Sequence, residues 1–430
     1  MRKNYLKKLS PEAKRILRQA QAASRFLKMP AYLVGGSLRD LILGKKNFDL
    51  DITVEGDGLI FARYLSKKLK SGLIIHERFK TATLLLEGDL KLDIATARRE
   101  TYPYPAALPA VVFSSLREDL GRRDFTINAL AIDLTLNNEA GIIDLFQGLD
   151  DLAAGNIRVL HDLSFEDDPT RILRAIRFGC RFGFKLERRT LILLKRALKE
   201  KYLKRVNPHR LRDELILLFK EDRPWGPLKT LDRLGGLSFI GDNFRLHHDT
   251  QRIFGAIKRQ IIWFEKNFSF RRPLEPWLVY FAALLIHLSL AQASELVNRL
   301  GLAKGQASRL LSYHRVRHRL VAALCRPAVK ADTIFSLVEP LSYETIILFK
   351  AVVANKYFQQ HLADFLKLYN GMRLCVGGRD LKNLGVLPGP RYQKILAKVL
   401  AAKLQNKVCG RQAELILIKK LAVKNKERSA

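Results

Sequence analysis

The sequence predicts an α+β protein, a mixed α/β head near the N-terminus followed by an all-helical remainder. Three observations predict it. β-branched runs with Gly and Pro punctuation occupy residues 30–146. Strand signals fade after about residue 150. Helical periodicity then runs from Asp168 to the end, broken by Pro208, Pro224, Pro273, Pro327, Pro340 and Pro388. At 430 residues the chain is too long for one ordinary core, and about three domains are expected. There is no fixed-period repeat and no low-complexity tract.

Residues 11–28 read as a basic amphipathic helix. The apolar run Ala31–Val34 reads as a strand. Gly35 and Gly36 read as a tight turn where the backbone can approach a ligand closely. Residues 38–44 read as a short helix ended by Gly44. Residues 47–54 alternate like a second strand, so Asp49 and Asp51 share a face with their Cα atoms roughly 6.5–7 Å apart. Two carboxylates then aim at one point beside a turn whose N–H groups can hold phosphates. That layout suits phosphoryl chemistry on two Mg²⁺ ions about 3.5–4 Å apart, with Asp49 and Asp51 as the metal ligands. Residues 74–76, 82–86 and 91–95 read as the next strands. The last carries Asp93, a candidate third acidic group near the metals.

Residues 118–129, Glu-Asp-Leu-Gly-Arg-Arg-Asp-Phe-Thr-Ile-Asn-Ala, carry a second cluster. Arg122 and Arg123 offer forked cations for phosphate oxygens. Asp124 can orient a ribose hydroxyl or one of those arginines. Asn128 can bond a sugar or a backbone group. Phe125, Ile127 and Ala129 read as buried anchors.

Residues 165–178 open a helix with Asp168 as N-cap and Pro169 as its first residue. At about 100° per residue, Arg171, Arg174, Arg177 and Arg181 fall within one arc of roughly 120°. Ile172, Leu173, Ile176 and Cys180 fall on the opposite, packing side. Further on, residues 207–214 start another helix whose charges read as surface or packing groups.

Taken together, Gly35-Gly36-Ser37-Leu38-Arg39-Asp40 with Asp49-Leu50-Asp51, the Arg-Arg-Asp-Phe-Thr-Ile-Asn-Ala run and the Asp168…Arg171 pair resemble the class II tRNA nucleotidyltransferases (CCA-adding enzymes) and bacterial poly(A) polymerases. The likeness is specific over residues 31–182 and general beyond. It implies a nucleotidyltransferase head with a mixed β-sheet and flanking helices, then an elongated all-α neck, body and tail. The expected segments are a basic N-terminal helix (1–28), head (29–150), neck with the template helix (151–222), body (223–325) and tRNA-binding tail (326–430). It implies Asp49, Asp51 and Asp93 as catalytic, with Mg²⁺ on Asp49 and Asp51. Gly35, Gly36, Arg39, Arg122, Arg123, Asp124 and Asn128 would bind the nucleotide, with Arg174 and Arg177 beside them. Asp168 and Arg171 would replace a nucleic-acid template. Cytosine and adenine each place an amine beside a ring acceptor, so one Asp/Arg pair can select both. The family's leading Glu is Asp167 here, one methylene shorter. Arg98 to Tyr102 and the Pro-rich 102–109 resemble the segment leading into the family's mobile loop. Residues 377–392 resemble a tail segment of several bacterial members.

The implied reaction adds CCA, or part of it, to tRNA 3′ ends from CTP and ATP, releasing pyrophosphate. Addition of CC only, of A only, or of poly(A) uses the same motifs. A catalytically silent RNA-binding protein is the alternative from another class. Seventy-six Lys and Arg against 42 acidic residues, a net of +34, favour a polyanionic partner. The four cysteines have no paired spacing, so they read as buried apolar residues of a reducing compartment, without disulfides and without a zinc-binding pattern. The apolar stretch 277–291 is too short and interrupted to span a bilayer. The N-terminus is basic but lacks a signal peptide's apolar core. A cytoplasmic protein with no membrane association is expected. His247-His248-Asp249 invites a metal-hydrolase reading, but neither the upstream His nor the downstream Asp pattern of such enzymes accompanies it. Residues 401–430 hold eight basic and two acidic side chains, an RNA-contacting or disordered end.

Overall fold

A computed structural model describes residues 5–45, 49–87, 90–135 and 141–423. The chain forms two compact units, Met1–Arg245 and Leu246–Ala430. The segments read as head and neck lie in the first, together with residues 223–245. Residues 46–48, part of the run read as strand 47–54, and residues 424–430 of the basic end lie outside the described residues.

The first unit opens with helix α1 (Pro11–Leu27). Ser10 accepts from the Ala13 N–H, Pro11 takes the first helical position, and Lys28 ends the helix at φ 54°. One face buries Ala13, Ile16, Leu17, Ala20 and Ala23. Strands β1 (Ala31–Val34), β2 (Leu50–Val54), β3 (Gly72–His76), β4 (Thr81–Leu85) and β5 (Lys91–Thr96) follow, with helix α2 (Gly35–Ile42) after β1 and α3 (Gly58–Leu69) after β2. Asp57 caps α3 by accepting from the Leu59 and Ile60 N–H groups. Strands β6 (Arg98–Thr101) and β7 (Ala110–Phe113) form a separate antiparallel hairpin. Helix α4 (Leu116–Gly121) and strands β8 (Leu130–Asp133) and β9 (Ile142–Asp144) complete the head.

The main sheet has seven strands in the order β3-β4-β5-β2-β1-β8-β9. The pair β2–β5 is parallel and its other pairs are antiparallel. Leu50, Ile52, Val54, Leu92 and Ile94 are buried, beside the buried Phe61, Ala62 and Leu65 of α3. Asp51, Thr53 and Asp93 alternate with these residues and point to the opposite face. In the β2–β5 register Asp51 pairs with Asp93. The sheet thus places two carboxylates from different strands side by side, about 4.8 Å apart at the backbone.

Helix α5 (Gly148–Ala154) leads into a short parallel ladder of β10 (Asn156–Ile157) and β11 (Lys185–Leu186). Between these strands lie α6 (Ser164–Asp167) and α7 (Thr170–Phe182). Then come α8 (Arg188–Lys199), α9 (Pro208–Phe219) and α10 (Trp225–Arg233), of which α9 and α10 pack on α7. Pro208 is the first residue of α9 and Pro224 immediately precedes α10, so these prolines start helices rather than interrupt them.

The second unit is helical throughout its described residues. It contains α11 (Thr250–Asn267), α12 (Pro276–Leu285), α13 (Leu290–Arg299), α14 (Lys304–Leu324), α15 (Ala331–Val338), α16 (Tyr343–Val352), α17 (Lys356–Asp364), a π turn (Phe365–Tyr369), α18 (Gly378–Asn383), α19 (Pro390–Leu404) and α20 (Gly410–Val423). Every residue of α12 from Trp277 to Leu285 is buried, against α11, α14 and α16. This accounts for the longest apolar stretch: α12 is the core helix of its unit. Among the described residues no helix is long and apolar enough to cross a membrane.

The cysteines differ from expectation. All four are free thiols, but Cys180, Cys375 and Cys409 are exposed and Cys325 is half-buried. Cys180 follows Ile172, Leu173 and Ile176 on the packing side of α7, but near the end of that helix the cover gives out.

Candidate active site

Strand β1 delivers the chain to Gly35 at φ +70°, a left-handed conformation that glycine adopts without penalty. Helix α2 starts at Gly35 itself. The expected turn followed by a helix over 38–44 is therefore corrected: the glycines form the helix's first turn and Gly44 lies beyond its end. A Cβ on Gly35 would sit 2.5 Å from Nη1 of Arg123. One glycine thus satisfies both the backbone conformation and the close approach of a guanidinium. The Ser37 N–H of this turn bonds the Asp51 carboxylate.

Burial pushes Asp51 up to about 6; the carboxylates of Asp93 and Asp49 add to this and Arg123 opposes it. Asp49, just before β2, and Asp93 are exposed. Thr83 on β4 donates its hydroxyl to Asp93 at 2.5 Å. Asp51 stands beside Asp93 across the β2–β5 pair, with Asp49 two residues before it, so the candidate donors are all carboxylate oxygens, and Arg123 offsets part of their charge. That chemistry fits a hard divalent cation.

Arg122 and Arg123 are held by Asp119, a residue the sequence reading passed over. Asp119 is fully buried, and its Oδ1 accepts from Arg122 Nε and Nη2 at 3.0 and 2.6 Å. Its Oδ2 accepts from Arg123 Nη2 at 2.9 Å. Burial alone would raise the Asp119 carboxyl, but Arg123 and Arg122 hold it below the usual carboxylate range. Glu100 on β6 takes a further bond from Arg122 at 2.9 Å. Arg122 is therefore occupied by protein carboxylates. Arg123 keeps its Nε buried without a protein partner. The signal was present, because Asp119 stands three and four residues before the arginine pair, the spacing at which helical neighbours meet.

Asp124 and Asn128 take protein partners other than the expected ones. Asp124 holds neither Arg122 nor Arg123. Its Oδ2 accepts from Arg174 Nε and Nη2 at 2.9 and 2.7 Å. Its Oδ1 accepts from the Asn128 amide at 2.8 Å. Asn128 Oδ1 in turn accepts from Arg39 Nη1 at 2.6 Å, so the asparagine bridges side chains rather than a backbone group. Arg39 lies over the rings of Phe178 and Phe182, 5.1 and 4.7 Å from their centroids. A continuous network ties α2 to α7.

Along the arginine row of α7, Arg174 and Arg177 face protein acids, while Arg181 at the helix end is exposed. Arg171 and Arg177 are 4% and 5% exposed. Arg174 and Arg177 reach Glu214 of α9 at 3.0 and 3.3 Å, and Arg177 reaches Glu221 at 3.3 Å. Arg171 donates to Ser164 Oγ and to the Arg122 carbonyl, each at 2.7 Å. Those two contacts orient it. Asp167 is pushed up by burial, with Arg171 opposing. Asp168 precedes α7 and its Oδ1 accepts from the Thr170 N–H at 3.1 Å and hydroxyl at 2.6 Å, a local cap. Its Oδ2 accepts from Arg210 at 2.7 Å. Arg210 and Glu214, read from sequence as surface or packing charges, thus position the site.

These side chains surround a cavity of about 780 Å³, within the range of small-molecule sites. Of the fourteen residues singled out in the sequence, eleven line it; Gly35, Asp49 and Asp93 lie beyond the lining. Nine arginines and four carboxylates face it, an excess suited to a polyanionic ligand. Phe79, Tyr102, Leu108 and Pro109 add an apolar side. Tyr102 donates to Glu100 at 2.8 Å.

The Poly A polymerase head domain family matches residues 31–158. The A-adding tRNA nucleotidyltransferase of Geobacter sulfurreducens is 35% identical over 401 residues, 92% of this chain and 46% of its own length. The chain thus spans about half the length of the A-adding tRNA nucleotidyltransferases it matches. A CCA-adding enzyme in apo form II superposes with a TM-score of 0.78 at 34% identity, covering 96% of both chains. The Thermotoga maritima CCA-adding enzyme complexed with a CCA-ending tRNA superposes at 0.72 and 33%, covering 96% of this chain and 97% of its own. CCA-adding enzyme complexes with ATP and with CTP superpose at 0.77 and 0.74, both at 33% identity and covering 96% or more of each chain.

Proposed function

Because the chain belongs to the class II tRNA nucleotidyltransferase family, we propose that it adds CCA to tRNA 3′ ends, taking CTP and ATP and releasing pyrophosphate. The observation that carries this reading is one cavity joining the Asp51 carboxylate to the Asp168/Arg171 pair through a wall of arginines.

Asp49 and Asp51 would hold Mg²⁺, with Asp93 beside them. When bound, the metal supplies charge neutralisation at the triphosphate and activation of the RNA 3′-hydroxyl. The chain's own groups do the rest. The Gly35–Gly36 start of α2 and Arg123 hold the triphosphate, helped by Arg39. Arg122, held by Asp119 and Glu100, acts by fixing the position of Arg123 and Arg171. Asp124, Asn128, Arg174 and Arg177 brace the cavity wall against the nucleotide's ribose side. Asp168 Oδ1 is taken by the Thr170 N–H and hydroxyl, and Oδ2, which accepts only from Arg210, keeps a lone pair for a base amine. Arg171 donates to the adjacent ring acceptor. The bonds to Thr170, Arg210, Ser164 and the Arg122 carbonyl hold that pair before any base arrives. Preorganisation of this kind replaces a template strand.

We assign 1–28 as the N-terminal helix, 29–150 as head, 151–222 as neck, 223–325 as body and 326–430 as the tRNA-binding tail. The tail would grip RNA by its backbone, with little base reading. The proposed substrates, tRNA with CTP and ATP, support a cytoplasmic setting.

Addition of the terminal A alone is the second reading, favoured by the name of the Geobacter relative. Three tRNA transcripts, ending before CCA, after C and after CC, separate the readings when CTP and ATP are offered singly and together. CCA addition extends all three to full length. Extension of only the last, with ATP, assigns A-addition.

A further inference from the structure

In the second unit three metal-ligating side chains meet, none of them among the residues of the candidate active site. His247 and Asp249 precede α11, and His287 lies two residues past α12. Asp249 Oδ1 lies 2.7 Å from His247 Nδ1 and 2.9 Å from His287 Nε2. The two imidazoles stack with centroids 3.8 Å apart and planes 26° apart. One ligand atom from each residue lies within 4.8 Å of the other two.

Asp249 occupies the N-cap position of α11, yet its side chain makes no cap bond to the helix. An aspartate there ordinarily accepts from the second or third helical N–H. This one is turned instead toward two histidines. Arg252 lies 3.8 Å from Oδ2, which leaves Oδ1 for the imidazoles. The His248 ring lies beside His247, centroids 4.1 Å apart and planes tilted by 40°. Both ligand histidines are partly open to solvent, so an ion can enter and water can complete its shell.

We propose that His247, Asp249 and His287 form a binding site for one borderline transition-metal ion of the Zn²⁺ class. Two imidazoles and one carboxylate select such ions over Mg²⁺, which prefers oxygen. Three donors around a tetrahedral Zn²⁺ lie about 3.3 Å apart, only a few tenths of an ångström wider than the present N···O contacts. A carboxylate oxygen only accepts, so each facing ring nitrogen carries a proton in the metal-free protein. When the metal takes the facing nitrogens, each neutral ring's proton moves to its other nitrogen (His247 Nε2, His287 Nδ1), and the ion joins the start of α11 to the end of α12. The site is independent of nucleotidyl transfer.

The test uses full-length, metal-stripped protein. Zn²⁺ is followed by calorimetry in buffers of different ionisation enthalpy, and Co²⁺ by its visible absorption. Four proteins are compared: wild type, Asp51→Asn, His287→Gln and Asp249→Asn, each checked for native circular dichroism. Expected is one Zn²⁺ per chain with micromolar or tighter affinity. Affinity should fall at least tenfold in His287→Gln and Asp249→Asn and stay unchanged in Asp51→Asn. If His287→Gln fails to fold, Asp249→Asn decides. Affinity unchanged by the second-unit variants, affinity lost with Asp51→Asn, or no binding below about 100 µM would each overturn the proposal.

Discussion

Asp51 and Asp93 are register partners across the parallel β2–β5 pair, and only Asp51 is withdrawn from solvent. The asymmetry follows from their neighbours. Asp51 lies under the α2 turn and beside Arg123, whereas Asp93 is open and answered by Thr83.

Metal-free protein should bear a stability cost at Asp51. Its folded pKa of about 6 lies above the ordinary 3.8, so the folded state binds this proton more tightly than the unfolded state. Its contribution is therefore most favourable below pH 4 and is lost as pH rises through 6. Asp51→Asn should raise the melting temperature in EDTA at pH 7, by on the order of 2 kcal/mol of stability. It should flatten the pH dependence between 4 and 6. Thermal melts of both proteins across that range check it; parallel curves would contradict it.

Asp119→Ala should be among the most damaging substitutions in the head. It leaves two half-buried guanidinium groups without their shared carboxylate, a loss of about 3 kcal/mol or more. Asp93→Ala, at an exposed position, should change stability by about 0.5 kcal/mol or less while depressing activity. Urea titrations of the two variants give the comparison.

Gly35→Ala meets a φ of +70° and an Arg123 nitrogen 2.5 Å from the new Cβ. The guanidinium can move aside, so the stability cost should stay at about 1–2 kcal/mol. Displacement of Arg123 should raise KM for the nucleotide at least tenfold. Gly36→Ala, with 3.5 Å to the Arg39 guanidinium, should be milder in both measures.

Arg171→Ala and Arg210→Ala test the base-reading pair. The first removes a reader and the second releases Asp168 from its 2.7 Å ion pair. Both should change the ratio of C to A incorporation more than they weaken tRNA binding. Equal loss for both nucleotides would count against a protein template.

The architecture of the head was legible because it rests on local patterns. Alternation marked β2 and β5, and Gly35 marked the end of β1. Phe125, Ile127 and Ala129 are buried as their spacing required. The acids that hold the arginines were not legible in the same way. Asp119 is the exception, three residues before Arg122 at the end of one helix, but a sequence does not show that Asp124, Glu214 and Glu221 meet Arg174 and Arg177. Periodicity placed the arginines of α7 on one face and could not show that α9 would cover that face with carboxylates. Asp249 and His287 are 38 residues apart and come together only when α11 and α12 pack. The start of α2 differs because two glycines read as a turn, whereas they form the first turn of the helix, with Gly35 at φ +70°.

The most direct measurement compares wild type with Asp51→Ala on a tRNA transcript ending in CC, with radiolabelled ATP and Mg²⁺. Both proteins should bind the transcript with similar affinity in a filter assay. Wild type should add one adenylate, and Asp51→Ala should lose at least a thousandfold in rate. Incorporation by Asp51→Ala at the wild-type rate, or none by wild type, would contradict the assignment of this cavity as a nucleotidyl-transfer site.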